Sequence, residues 1–179
     1  MIDHGFGVKL TKLYGDDEKQ KTFRWRNNPL IYKWCRQFEP LDWTSHNKWF
    51  DGLPDRQDVK MYGIRHDVNF VGVCGLTDID RINSRAEFSL YIGTEYWGNG
   101  HGTNALKTLL AHGFDSLNLH SIWGETYAEN PASKVFESIG MKLDGTRRGF
   151  YYRDGKYIDA HLYSILKGEF SKKTGGGEL

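Results

Sequence analysis

Tyr96-Trp97-Gly98-Asn99-Gly100-His101-Gly102-Thr103-Asn104-Ala105 is the stretch that decides the fold of this chain. Its three glycines alternate with other residues just ahead of Ala105, Leu106, Leu109, Leu110 and Phe114, whose spacing marks one apolar face of a helix. Upstream, Glu87-Phe88-Ser89-Leu90-Tyr91-Ile92 forms the heart of a strand expected over 85–93. A glycine-rich turn between a strand and a helix aims several backbone N–H groups at one point, at the positive end of the helix, and so makes an anion site. Gly98, Gly100 and Gly102 allow the main chain to approach a phosphate and to take positive φ. Two other phosphate loops do not match: no Gly-Lys-Ser/Thr ending is present, and the glycines do not make Gly-x-Gly-x-x-Gly.

Outward from this loop, alternating residues predict strands over 8–13, 59–66, 69–77 and 121–128. A hairpin over 141–152 and 156–166 is marked by Asp154-Gly155. Helices are expected over 16–28, 29–34, 44–53 and 130–138, the first opened by Asp16 and Asp17 and stopped by Asn28-Pro29. The order is mixed strands, glycine loop, helix, strand, helix, hairpin.

A chain of 179 residues suits one domain, read as 1–170, with 171–179 as a disordered tail because of its three consecutive glycines. The net charge of +1 supplies no basic field of the kind that holds nucleic acid or an anionic membrane, so a partner must be chosen by a local site. Cys35 and Cys74 are far apart and outside any Cys-x-x-Cys pattern, which argues against a metal site or a disulfide framework. No apolar run approaches the roughly 18 residues needed to span a bilayer, and the N-terminus lacks a signal-peptide layout. A soluble, cytoplasmic protein is the expectation.

The glycine stretch resembles the acetyl-CoA signature of GNAT acetyltransferases, with Trp97 where many members carry Gln or Arg. The resemblance continues through Asn130-Pro131-Ala132-Ser133, Glu137-Ser138-Ile139-Gly140-Met141 and Tyr152-Arg153-Asp154-Gly155-Lys156-Tyr157, covering 59–166. Between Ser133 and Glu137 the chain is one residue shorter than the usual motif, which shifts the helix start and puts the reach of Asn130 in question. The resemblance implies an α/β (α+β) fold: a mixed, mostly antiparallel twisted sheet of about seven strands flanked by about four helices, splayed between the fourth and fifth strands. It also implies acetyl-CoA as cosubstrate. Leu90, Tyr91 and Ile92 would face its pantetheine arm, Trp97 to Thr103 its pyrophosphate, and Asn130 and Phe136 its remaining length.

An amine acceptor arrives as an ammonium, so a base is needed, and Glu87 on the strand leading into the site is the first candidate. Its plainer reading is a surface carboxylate paired with Arg85 or Arg81. His46 is the second candidate, although a lone helix histidine is commonly structural. For the departing thiolate, Phe136 stands where relatives carry Tyr and has no proton to give. Ser133 is the substitute, with Tyr91 and Tyr127 behind it, and its plainer role is a helix-start hydroxyl.

The front half resembles GNAT enzymes acting on amino-sugar nucleotides, which implies acceptor contacts from Trp25, Arg26, Trp49 and Asp78, with Arg24 and Arg36 as further cations. Alternatively, at least two of Trp25, Trp34 and Trp49 are core anchors. The back half resembles protein N-terminal and polyamine acetyltransferases equally, so the acceptor is a small-molecule or peptide amine. A non-catalytic acyl-CoA-binding module is the remaining reading. A polyamine site requires converging carboxylates, for which Glu39, Asp42, Asp51, Asp78, Asp80 and Glu87 are available, whereas a sugar-nucleotide site gathers arginines. The aromatic hairpin around Phe150, Tyr151 and Tyr152 raises the expectation of a homodimer.

Overall fold

A computed structural model describes residues 1–174. The elements run β1 (Ile2–Asp3), β2 (Lys9–Lys12), α1 (Asp16–Arg26), α2 (Pro29–Tyr32), α3 (Trp43–Gly52), β3 (Lys60–His66), β4 (Asn69–Asp80) and β5 (Arg85–Ile92). They continue with α4 (His101–Asp115), β6 (Ser121–Tyr127), α5 (Ser133–Ser138), β7 (Lys142–Arg153), β8 (Lys156–Leu166) and α6 (Lys167–Thr174). The strands make one sheet in the order β1-β2-β3-β4-β5-β6-β8-β7, antiparallel except for the β5–β6 pair. Eight strands and six helices, counted among the described residues, replace the expected seven and four. The extra strand is the two-residue β1, too short to carry a period, and it moves the expected splay to between β5 and β6. Helix α6 continues four residues into the segment read from sequence as a tail, and 175–179 lie outside the described residues.

Local chemistry explains most boundaries. Asp42 caps α3, its carboxylate accepting from Ser45 N at 2.9 Å, and Asn28 caps α2 through Leu30 N at 3.0 Å. Asp154 and Gly155 both take positive φ, at 48° and 81°, as a two-residue hairpin turn of the favoured twist demands. Helix α4 buries Ala105, Leu106, Leu109, Leu110 and Phe114 against one face of the sheet. Each fully buried leucine there contributes about 1.5–3 kcal/mol. A second, smaller cluster on the opposite face joins Trp25, Ile31, Phe70, Val73 and Tyr91.

Two glycines let these layers approach. A Cβ at Gly93 would come within 2.5 Å of the Trp25 indole, so the ring packs on bare backbone at the end of β5. A Cβ at Gly124 would lie 2.2 Å from the Phe88 ring, which fills that space on β6 and meets Phe136 edge to face with centroids 5.1 Å apart. Gly124→Ala therefore has no room without moving an aromatic ring held on both sides. It should lower stability by about 1–3 kcal/mol, the usual cost of overpacking, read as a reduced urea midpoint. An unchanged midpoint would show that Phe88 is not wedged against β6.

Candidate functional site

The parallel ladder between β5 and β6 covers Arg85↔Ser121, Ala86↔Ile122 and Glu87↔Trp123, and goes no further. On its other side β5 stays paired with β4 as far as Gly72↔Ile92, and Gly93 N donates to Val71 O at 3.0 Å. Hydrogen-bonding direction alternates along a strand. Gly93, Tyr91, Ser89 and Glu87 therefore turn their main-chain groups to β4, while Ile92, Leu90 and Phe88 turn theirs into the gap. Ile92 O accepts there from Trp97 Nε1 at 2.8 Å. The gap is lined by backbone from Leu90 and Ile92 as expected; Tyr91 is the exception, because its main chain belongs to β4 and its side chain to the second cluster.

At the mouth of the gap the glycine loop leads into α4. Gly98 and Gly100 take φ of 81° and 75°, and a Cβ on either would meet nothing within 4 Å, so the cradle is open where a pyrophosphate would lie. Gly100 is the helix N-cap, no side chain caps the first turn and no acidic residue occupies it. The first-turn amides of His101, Gly102 and Thr103 are consequently directed out of the helix, with its positive dipole end behind them. Asn99 folds back onto Tyr96 O and Trp97 O, both at 3.3 Å, and stiffens the turn. The His101 ring is buried against His66, centroids 4.6 Å apart, leaving its backbone to face the loop. These residues fit the diphosphate of the cosubstrate that the motif implies.

Beyond the gap two chambers adjoin, sharing Arg26, Gln37, Thr77 and Ser89. The first, about 380 Å³, is lined by Glu87, Glu125, Arg36, Trp34, Tyr127 and Tyr151 together with Leu90, Asn130 and Phe136. Glu87 is buried and ion-paired with Arg36, not with Arg85, which pairs with Asp80, or with Arg81. The Glu125 side chain is likewise buried, at 4% exposure, and takes bonds from Arg147 Nη1 at 2.9 Å and from the Tyr151 hydroxyl. Burial, then the bond to Glu125, pushes the Tyr151 phenol up to about 12. Asn130 reaches the chamber wall despite the shortened motif, its side chain accepting from Ala132 N at 3.0 Å.

The second chamber, about 440 Å³, is lined by Trp49, Tyr91, Arg56, Asp78 and His46. Asp78 stands at an irregularity in the β4–β5 register with φ of 48°, a conformation rare outside glycine and asparagine. Arg26 lies between the chambers with its guanidinium 5.7 Å from the Tyr91 ring centre. Of the expected acceptor contacts, Arg26, Trp49 and Asp78 thus face the groove. Trp25 does not: it is buried, and its indole donates to Glu95 at 3.0 Å. Of Trp25, Trp34 and Trp49, only Trp25 is a buried core anchor, where at least two had been expected.

The expected proton handlers fare unequally. His46 lies in the second chamber, apart from Glu87, with Nε2 3.1 Å from both Thr22 Oγ1 and Lys19 O, so it ties α3 to α1. Ser133 lines neither chamber and donates to Asn130 O at 3.1 Å. Tyr127 donates to Cys35 O at 2.7 Å, and the Tyr91 hydroxyl is buried with no hydrogen-bond partner among the described residues. Sequence reasoning missed Glu125, Tyr151 and the pairing role of Arg36. The strand period puts Glu125 on one face of β6 with Trp123, but only the pairing of Trp123 with Glu87 brings that face to the groove.

Burial holds the imidazoles of His46, His101 and His112 below their ordinary value. The unfolded chain then binds the extra protons first. The histidine contribution to stability is complete above about pH 6.5 and is lost as the pH falls through that value toward the lowered folded values. His46→Gln should lower the melting temperature at pH 7.5 and flatten its decline toward pH 5.5, with turnover of the folded variant within severalfold of wild type. An unchanged melting profile with collapsed turnover would return His46 to the proton chain.

Comparison with known proteins adds to this geometry. The family model for the acetyltransferase (GNAT) domain matches residues 8–142. Spermidine N(1)-acetyltransferase of Escherichia coli (strain K12) is 28% identical over 176 residues, 96% of this chain and 94% of that one. The N-acetyltransferase p20 of Bacillus licheniformis is 35% identical over 102 residues, 56% of this chain. The matched region spans 57% of p20 and 59% of a Bacillus subtilis relative, YoaA. Among solved structures, a spermidine N-acetyltransferase from Vibrio cholerae, in complex with CoA and spermine, superposes with a TM-score of 0.86 at 23% identity, covering 92% of this chain and 98% of that one. That likeness is one of fold, and together with the family match over most of the sequence it places the glycine loop and the splayed strands in a known setting: the chain belongs to the GNAT family of acetyltransferases.

Proposed function

We propose that this chain transfers an acetyl group from acetyl-CoA to a primary amine of a small molecule. The observation that carries this reading is the meeting, at one end of β5, of an edge with no paired strand among the described residues, a helix start whose first turn has no side-chain cap and a buried carboxylate. The cosubstrate supplies an activated acyl group as a thioester. His101, Gly102 and Thr103 would hold its diphosphate through their amides, and the main chain of Leu90 and Ile92 would pair with its arm. The Leu90 N–H, directed into the gap, is placed to polarise the acyl carbonyl as negative charge develops on its oxygen. Glu87 takes the proton from the acceptor ammonium, and the free amine then attacks directly within a ternary complex. The hydroxyls of Ser133, Tyr127 and Tyr151 all donate to other groups and the Tyr91 side chain belongs to the Trp25 cluster, so the thiolate departs without a dedicated acid and takes up the proton that the acylated nitrogen sheds.

Polyamines are the first acceptor class on this reading, supported by relatives named for spermidine that align with nearly the whole chain. Of the carboxylates that sequence offered for such a site, Glu87 and Asp78 line the groove, while Glu39, Asp42, Asp51 and Asp80 do not. An amino-sugar nucleotide is the second reading, favoured by Arg26 and Arg56 beside Trp49 in the second chamber.

The test is thiol release from acetyl-CoA with spermidine, a nucleotide-linked amino sugar and a short peptide offered in parallel. Release with spermidine above the other two is expected, and release with none would leave an acyl-CoA-binding module. Glu87→Gln should cut kcat by about 10²-fold or more while calorimetric affinity for acetyl-CoA stays the same; equal turnover removes Glu87 from the mechanism. Gly100→Glu forces a side chain onto positive φ and a negative charge into the anion cradle, so cosubstrate binding should be lost in a folded protein.

A further inference from the structure

We propose that Glu87 and Glu125 form one two-carboxylate seat for the acceptor's ammonium, and that the Arg36 guanidinium, which fills this seat in the free protein, is the group the acceptor displaces. This rests on the reading that the groove takes a primary amine, and it adds to it a second acceptor ligand and a built-in competitor.

The two carboxylates come from neighbouring strands on the same face of the sheet. Their side chains are 6% and 4% exposed, whereas that of Arg36 is 52% exposed. Arg36 Nη1 donates to Glu87 Oε2 at 3.1 Å, Nη2 pairs with the other oxygen, and Nε lies 3.5 Å from Glu125 Oε1. A buried carboxylate without a cation is strongly disfavoured. Glu125 keeps Arg147 and Tyr151 whatever Arg36 does, but among the described residues Arg36 is the cation paired with Glu87. Any acceptor that reaches Glu87 must therefore supply a positive charge in exchange.

The setting of Arg36 suits such an exchange. It lies on the irregular stretch between α2 and α3, where neither helix nor strand fixes its side chain. The main chain there is clasped by side chains of β6 and β7: Tyr127 donates to Cys35 O at 2.7 Å and Arg153 Nη2 to Arg36 O at 3.0 Å. The backbone is pinned, and only a half-exposed side chain has to swing out. An alkylammonium matches the departing guanidinium charge for charge, and its nitrogen comes to rest against the carboxylate that takes its proton.

A site open for only part of the time weakens apparent affinity by that fraction. Removing the occupant should therefore tighten binding of a cation, opposite to the loss expected if Arg36 were an ordinary binding or structural residue. Spermidine is titrated by calorimetry into the CoA-loaded full chain, as wild type, Arg36→Met, Arg36→Gln and Arg36→Met/Glu125→Gln, with folding checked by circular dichroism. The Arg36 variants should bind spermidine at least roughly tenfold more tightly than wild type, and Glu125→Gln should reverse most of that gain. Arg36→Gln keeps the polar contacts and answers the question if the methionine variant does not fold. Equal or weaker binding by a folded Arg36 variant overturns the proposal, as does a gain that survives Glu125→Gln. CoA carries no acetyl group, so the titration is independent of turnover. Absence of thiol release with any acceptor sinks acetyl transfer alone, and a normal reaction without the binding gain sinks this inference alone.

Discussion

Everything at the groove follows from where one ladder of hydrogen bonds stops. β5 and β6 are parallel neighbours for three residue pairs and then part, while each stays bonded to its other neighbour, β4 or β8. Buried backbone donors and acceptors demand partners, so a strand edge freed inside a sheet attracts an extended ligand with amides of its own. The separation is held open by packing. The Phe88 ring takes the room that a side chain at position 124 would need, and Phe136 closes over it. The same stop leaves Glu87, the last residue of β5 paired with β6, at the head of the opening.

Charge is organised around that opening more finely than the nearly neutral composition indicates. Three arginines from two segments gather around two buried carboxylates: Arg36, ahead of α3, meets both, Arg147 of β7 meets Glu125, and Arg153 at the end of β7 holds the main chain that carries Arg36. Arg153 also stacks over Phe38 and Tyr151, at 4.0 and 4.8 Å to the ring centres, which couples the β7–β8 hairpin to the irregular segment in front of the groove. Tyr151 belongs to this arrangement, whereas its neighbours Phe150 and Tyr152 are exposed. Three adjacent aromatic residues that look alike in sequence thus divide between the groove and the surface.

The donor half was legible because its physics is local. Glycines at positive φ, a helix with one apolar face and a strand of alternating burial are all written in consecutive residues, and the loop and α4 fall where they were expected. The acceptor half was not, because it is made of encounters. Glu125 is an unremarkable strand residue until β6 is placed beside β5. Arg36 is a loop cation until α2 and α3 fold over the sheet. Trp25 had the composition of a binding wall, and only the bare backbone of Gly93 beneath it explains why it is buried instead. His46 carries a reactive ring, but the carbonyl of Lys19 and the hydroxyl of Thr22 had already claimed it.

The freed edge of β5 has a consequence for how such a protein changes over time. Main-chain groups of Phe88, Leu90 and Ile92 line it, and a main-chain group is the same whatever side chain it carries. Mutational drift there is constrained only by the sheet and by the glycines. The opposite wall consists of side chains, each of which a single codon change can replace. One inherited half can therefore keep its ligand through long divergence while the other is redrawn residue by residue for a new one.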